Sequence, residues 1–384
     1  MELLNLNTNE LTLLRKDLHK HPEVALNEKN TAERITAFLR NYPPDEIINQ
    51  VGETGILAVY KGTKKGKTLV FRTELDALPI EEINTFEHAS VNKGVSHKCG
   101  HDGHMSILCG LATLLHHTRP EAGKVVLLFQ PAEEDGRGAV RILADTRFKV
   151  LQPDYIFALH NLPGYPKNQI VVKNNTFTCA VNSIIIVLKG KTSHAGEPEK
   201  GINPAMAMAE ITTQFLAQNQ ADATKENFCI LTPIYSKMGK KAYGVSAGYG
   251  EIHFTVRSDS NERMRKLEAT LENVAQSIAK KYQLEPILSW TQSFHANENH
   301  PKAVDYVRLA AKHHALDIHE KEFPFTWGED FGIFTQHYSG AMFGLGSGIE
   351  TPALHNPDYD FPDDIIPTGV AVFHQIVKEI THAY

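Results

Sequence analysis

A chain of 384 residues, 42% of them hydrophobic, is long enough to bury a sizeable core without disulfide or metal staples, and suggests two domains or one large one. Its formal charge of −6, from 39 basic and 45 acidic residues, supplies neither the basic field that grips nucleic acid nor a basic face for a membrane. Cys99, Cys109, Cys179 and Cys229 form no CxxC pair, and there is no long apolar run, which excludes a disulfide scaffold and a membrane-spanning helix.

The opening residues carry charge every few positions and lack the apolar stretch of a signal peptide, so a cytoplasmic, reducing location is expected. Leu11, Leu14 and Leu18, then Ala32, Ile35, Phe38 and Leu39, recur at helical spacing and predict helix through the first forty residues. From Thr54 the texture changes: GILAVYKG and KTLVFRTELDALP are short runs with β-branched residues, bounded by Gly, Lys and Pro, and predict strands. An apolar helix over 104–117, a strand in KVVLLFQPAEE, a short helix over 137–146 and a strand in DYIFALHNLPG follow. Alternating strands and helices imply an α/β layer structure with a partly parallel sheet. Residues 181–291 read as β-α-β-β-α-β, the order of a ferredoxin-like unit inserted into the first domain. The α/β texture then resumes with a helix near 301–314, a turn-rich WGEDFG, the strand AMFGLGSG and a closing helix. Residues 1–180 and 292–384 thus form one discontinuous domain around the insert.

The strongest local signal is SHKCGHDGHM, which gathers His97, Cys99, His101, Asp102 and His104 between a strand and an apolar helix. Imidazole and thiolate suit zinc and other divalent transition metals, and Gly100 and Gly103 allow the tight turns that let side chains converge. FQPAEED places Glu133 and Glu134 at a strand end, where one carboxylate can ligate a metal and its neighbour can act as general base; alone, Glu-Glu more often marks an exposed acidic turn. His160 in ALHNLPG and His355 in TPALHNPDYDF lie at similar places, and each alone reads as a structural histidine. Their value is positional, because sites in open α/β sheets form beyond the carboxyl ends of strands. Asp76, with Glu74 at another strand end, is a candidate carboxylate partner for a metal-bound imidazole or merely part of a turn closed by proline. In the insert, His194 in KTSHAGEP and Arg257 at a strand end suit an anionic substrate or a developing oxyanion, though either alone reads as a surface residue.

Together, RTELDALP, HKCGHDGHM, FQPAEE, ALHNLPG, TSHAGEP, WGEDFG and LHNPDYDF resemble the zinc peptidase and amidohydrolase family that includes carboxypeptidase G, aminoacylases, hippurate hydrolase and N-acetyldiaminopimelate deacetylase, in its amidohydrolase branch. They run in family order over nearly the whole chain. The resemblance implies a three-layer α/β/α zinc-peptidase core with an inserted ferredoxin-like lid at 181–291. It implies two divalent ions per subunit, zinc or manganese, and cleavage of an N-acyl amino acid or short peptide. Cys99 resembles the bridging metal ligand; His101 and Glu134 match ligands of one ion, His160 and His355 those of the other. Glu133 resembles the general base, Asp76 the acid behind the metals, and His194 the lid histidine that steadies the oxyanion, in dimeric members within the partner's site. Arg257 and Asn203 match positions that hold the substrate carboxylate, and a homodimer through the lid is implied. Two departures stand out: the branch usually has Asp where this chain has Glu74, and an NVIP-like lid turn is replaced by AYGVSAG at 242–248. A dipeptidase or aminopeptidase of the same family is the alternative activity, and a catalytically degenerate metal-binding protein is the non-enzymatic one.

Overall fold

The computed structural model describes residues 6–381. The N-terminal helical pattern is realised as two helices, Thr8–Lys20 and Lys29–Asn41, not one. The break falls at Pro22, which lacks an amide hydrogen and restricts the residue before it; His21 accordingly leaves the helix at φ −127° and ψ 57°.

By its contacts the chain forms two units: one runs up to Phe177 and takes in Asn297–Glu322 and everything from Glu329 onward, and the other comprises Thr178–Ala296 and Phe323–Gly328. The first is built on an eight-stranded sheet in the order Glu46–Val51, Gly55–Lys61, Ala122–Gln130, Lys64–Glu74, Tyr155–Pro163, Ser339–Gly348, Ile170–Val172, Ile318–Glu320. The four strands from Ala122–Gln130 to Ser339–Gly348 are mutually parallel. Their interiors are continuous apolar runs because both faces are covered. Alternate residues such as Tyr60, Phe71, Leu127 and Phe157 join a core with helices Thr8–Lys20, Lys29–Asn41, His101–His117, Pro301–His313 and Ile366–Thr381. The short helices Gly138–Ala144 and Phe331–Thr335 pack on the opposite face. This is the three-layer α/β/α core. Register places Glu74 level with Gln130 and Arg72 level with Ala158, so Asp76 and Glu133 follow their strands at the edge where His160, past the last residue paired with Lys64–Glu74, still pairs with Gly344.

The second unit is a four-stranded antiparallel sheet ordered Cys229–Met238, Tyr249–Ser258, Ala180–Lys189, Glu285–Phe294, with helices Ala205–Leu216 and Asn261–Lys281 on one face. Strand order and connections are those of a ferredoxin-like fold. Among the described residues no helix is long and apolar enough to cross a membrane.

The first helix is fixed to the core by charge as well as by leucines. Arg15, almost fully buried, donates to Asp360 at 2.6 Å and Asp363 at 2.8 Å and lies 3.4 Å from Asp102. His19 bridges Asp102 at 2.8 Å and Glu82 at 3.0 Å. Burial disfavours the imidazolium, yet its hydrogen bonds to Asp102 and Glu82 prevail and hold its pKa up at about 9. Because the folded value lies above that of the unfolded chain, this contribution is complete below pH ~6.5 and is lost as pH rises through about 9. Wild-type unfolding free energy is therefore expected to fall by ~2 kcal/mol more than that of His19→Gln between pH ~6.5 and ~9.5. Parallel stability–pH curves for the two proteins would refute this.

Candidate metal centre

Every candidate group of the first unit comes from the carboxyl edge of the parallel strands. Cys99 precedes helix His101–His117, and the chain enters that helix through Gly100 at φ 93°, where any side chain would strike the amide of Asn161. Gly103 has a different job from the turn expected of it. It lies inside the helix, and a side chain there would collide with the Phe361 ring. The segment SHKCGHDGHM therefore divides its side chains. Cys99 and His101 face the strand ends, Asp102 turns to Arg15 and His19, and His104 bonds Glu74 at 2.8 Å and Asn161 at 2.6 Å. His97 is buried with neither ring nitrogen hydrogen-bonded.

The ligand atoms of Cys99, His101 and His160 lie within 4.8 Å of one another, as do those of Cys99, Glu134 and His355. Cys99 Sγ is 3.5 Å from His160 Nε2, His101 Nε2 is 3.8 Å from Glu134 Oε1, and His355 Nε2 is 3.9 Å from Glu134 Oε2. Ligand atoms around a tetrahedral ion with bonds of roughly 2.0–2.3 Å stand about 3.3–3.8 Å apart, so these gaps are of ionic size. Cys99 is common to both triads. A further cluster groups His101 with Glu133 and Glu134, so His101 neighbours both His160 and Glu134. His160 Nδ1 bonds its neighbour's carbonyl at 2.9 Å, which turns Nε2 toward Cys99.

Asp76 acts on the backbone. Its carboxylate accepts from the amides of Glu133 at 3.1 Å and Glu134 at 2.9 Å, while its own carbonyl, 2.8 Å from His101 Nδ1, orients that imidazole. From the other side, buried Glu28 accepts from the amide of Ala132, which sits at φ 51°. The acidic loop is thus pinned residue by residue, in a conformation uncommon for a non-glycine residue.

Arg72, Glu329 and Asp330 carried no assigned role in the sequence, yet they form the floor of the site. The buried Arg72 guanidinium pairs with Glu74, with Glu329 at 2.9 Å and with Asp330 at 2.6 Å. Arg72 and Glu74 share a face of one strand by their i,i+2 spacing, a charged pattern at a strand end that could have flagged them.

Five buried carboxyl groups (Glu74, Asp76, Glu133, Glu329 and Asp330) and the largely buried Glu134 thus gather near one guanidinium. Burial, then the charges of Glu329 and Glu134, push the Glu133 carboxyl well up; burial and Asp76 do the same to Glu134. Burial and neighbouring carboxylates raise the Cys99 thiol, and burial pulls His101 down and His160 down to about 3. Burial opposes ionisation of Glu74 too, but Arg72 and His104 overcome it and hold this carboxyl low. Buried His101 Nε2 and Glu134 Oε1 meet no hydrogen-bond partner, which is costly unless a ligand satisfies them. Neutral imidazoles, a thiol and surplus carboxylates with orphaned atoms are the donor set of a divalent-metal centre, and two such cations would offset most of the surplus negative charge.

In the second unit, His194 pairs with Val245 in a two-stranded ribbon, and its Nδ1 accepts from the amide of Gly196 at 3.0 Å. Asn203 Nδ2 donates to Ser246 Oγ at 3.0 Å. The altered 242–248 loop therefore contacts both residues. Arg257, on strand Tyr249–Ser258, donates to the carbonyl of Thr326 at 2.7 Å.

Residues 70–379 match the model of peptidase family M20/M25/M40. The N-acetyldiaminopimelate deacetylase of Bacillus subtilis (strain 168) is 30% identical over 365 residues, 94% of this chain and 96% of its own. That of Geobacillus sp. (strain WCH70) is 30% identical over 360 residues, 93% and 94% of the two chains. Among solved structures, the Bacillus subtilis YXEP protein, described as a dinuclear metal binding peptidase from the M20 family, is similar with a TM-score of 0.84 at 26% identity, covering 98% of this chain and 99% of that one. The chain belongs to peptidase family M20/M25/M40. It is a hydrolase of that family, and its clusters are suited to two divalent cations such as zinc or manganese.

Proposed function

We propose that the chain releases amino acids from their N-acyl derivatives, with Glu133 as the general base and Cys99, His101, Glu134, His160 and His355 holding two divalent cations, Cys99 shared between them. The observation that carries this reading is the attitude of Glu133. Its Oε1 is held 3.4 Å from the amide of Asp330, and its Oε2 stands 3.9 Å from His101 Nε2, with which Glu133 and Glu134 form one cluster. When bound, the cations lower the pKa of a water and polarise the scissile carbonyl. Glu133 then takes one proton from that water as its oxygen bonds the acyl carbon. As the C–N bond breaks, Glu133 returns the proton to the departing nitrogen, which leaves as the amine of the amino acid. Asp76 fixes the loop that presents Glu133 and Glu134. In this reading His194 steadies the oxyanion, and Arg257 and Asn203 hold the substrate carboxylate. Homodimerisation through the lid sheet belongs to the same reading. It is supported by the edge strand Cys229–Met238, whose outer half exposes Ile234, Tyr235 and Met238.

The test is a hydrolysis screen, with added zinc or manganese, over acetyl-, benzoyl- and succinyl-amino acids, N-acetyldiaminopimelate and free-amine dipeptides. We expect the acylated compounds to exceed dipeptides by about 100-fold in kcat/KM. Equal or better cleavage of dipeptides would favour the dipeptidase alternative, and no turnover by the fully metallated protein would favour a degenerate site.

A further inference from the structure

We infer that Glu329, of the WGEDFG segment, is a positioning residue that sets the carboxyl of Glu133 for proton transfer. This rests on the reading of Glu133 as the base. The argument starts from Arg72, which has more counter-ions than it needs. Glu74, Asp330 and Glu329 all pair with one buried guanidinium, and each added buried carboxylate costs desolvation that a shared cation repays only in part. Each should therefore have a second task, and two of these tasks are plain. Glu74 also holds His104 at 2.8 Å. Asp330 also accepts from Gln130 Nε2 at 2.8 Å and from the amide of Ala139 at 2.8 Å. Beyond the guanidinium, Glu329 accepts from the amide of Phe331 at 3.2 Å, which steadies the turn whose next amide, that of Asp330, reaches Glu133.

That amide lies 3.4 Å from Glu133 Oε1. The Glu329–Asp330 segment thus cradles the back of the Glu133 carboxyl, Arg72 anchors both members of the segment, and Oε2 is left facing the triads. A base that must receive a proton on one side and deliver it on the other gains most from a fixed orientation. Glu329 itself is buried and acts through Glu133.

The experiment compares Glu329→Ala and Glu329→Gln in the metal-loaded full-length enzyme, with Glu133→Gln alongside. Glu329→Ala is expected to lower kcat about 30-fold with KM within about 2-fold, because orientation matters in the transition state more than in substrate binding. Metal content should stay at two ions per chain. Glu329→Gln should recover most of the loss, since its amide oxygen can still accept from Arg72 and from the amide of Phe331, which keeps the turn and the Asp330 amide on Glu133. If the alanine variant does not fold, Glu329→Met, which fills the space without polar atoms, is read in its place. Wild-type kcat in the apolar variant, equal impairment of the Gln variant, or a loss explained by missing metal would each overturn the inference. An active Glu133→Gln enzyme would instead overturn the assignment of the base itself. An inactive Glu133→Gln beside a fully active Glu329→Ala would overturn only the role of Glu329.

Discussion

Glu133→Gln is expected to lower kcat by about 10³-fold while leaving KM within a few-fold and metal content at two ions per chain. The amide is isosteric, so the hydrogen bond from Asp330 N to Oε1 survives. What disappears is the only feature that distinguishes the two side chains, an oxygen able to take a proton and give it back. Glu133→Asp should fall between them, because the carboxylate is retained but withdrawn by one methylene from the gap it faces at His101. Steady-state kinetics on the best acyl substrate, with metal analysis of each preparation, makes the comparison. Turnover near the wild-type rate in Glu133→Gln would remove Glu133 from the chemistry.

Cys99→Ala should be nearly as damaging by a different route. Its sulfur is common to both triads, whereas His355 belongs to one and is half exposed. Cys99→Ala is therefore expected to bind at most one ion and to lose about 10³-fold in kcat, and His355→Ala to lose a single ion. The same measurement bears on stability. Glu74, Glu329 and Asp330 already pair with the one guanidinium, and burial opposes ionisation of Asp76, Glu133 and Glu134 beside them, so bound cations would stabilise the folded chain. Chelation should lower the melting temperature of the wild type, and restored zinc should raise it in proportion to the logarithm of its free concentration. The response should be much weaker in Cys99→Ala. A Cys99→Ala protein that carries two ions and full activity would refute the shared position of this sulfur.

How far the sequence revealed this architecture depended on where each segment is buried. Central strands such as Tyr155–Pro163 are covered on both faces and announce themselves as unbroken apolar runs. The peripheral strands Glu46–Val51 and Ile318–Glu320 are largely exposed, carry little hydrophobic pattern and passed unnoticed. The ferredoxin-like insert was readable because its helices and strands each bury one face, so both periodicities survive. The candidate metal residues were readable because each ends a strand or opens a helix in a short turn-rich motif. Arg72, Glu329 and Asp330 were not, since their association spans the fold and depends on register. Nor does spacing tell which histidine shares an ion with which carboxylate. Asp76 was recognised as important but for the wrong atoms: its carboxylate serves two amides, and its carbonyl serves the imidazole.

Glu74 links two otherwise separate groups, with one oxygen on Arg72 and the other on His104, which in turn holds Asn161 beside His160. An aspartate on the same backbone would fall short of one partner by the length of a C–C bond. Trading one acid for the other here, normally the mildest of exchanges, would sever a connection that runs from the guanidinium to the strand end bearing His160. A graft of the family's commoner residue into this chain would have to bring its own neighbours with it.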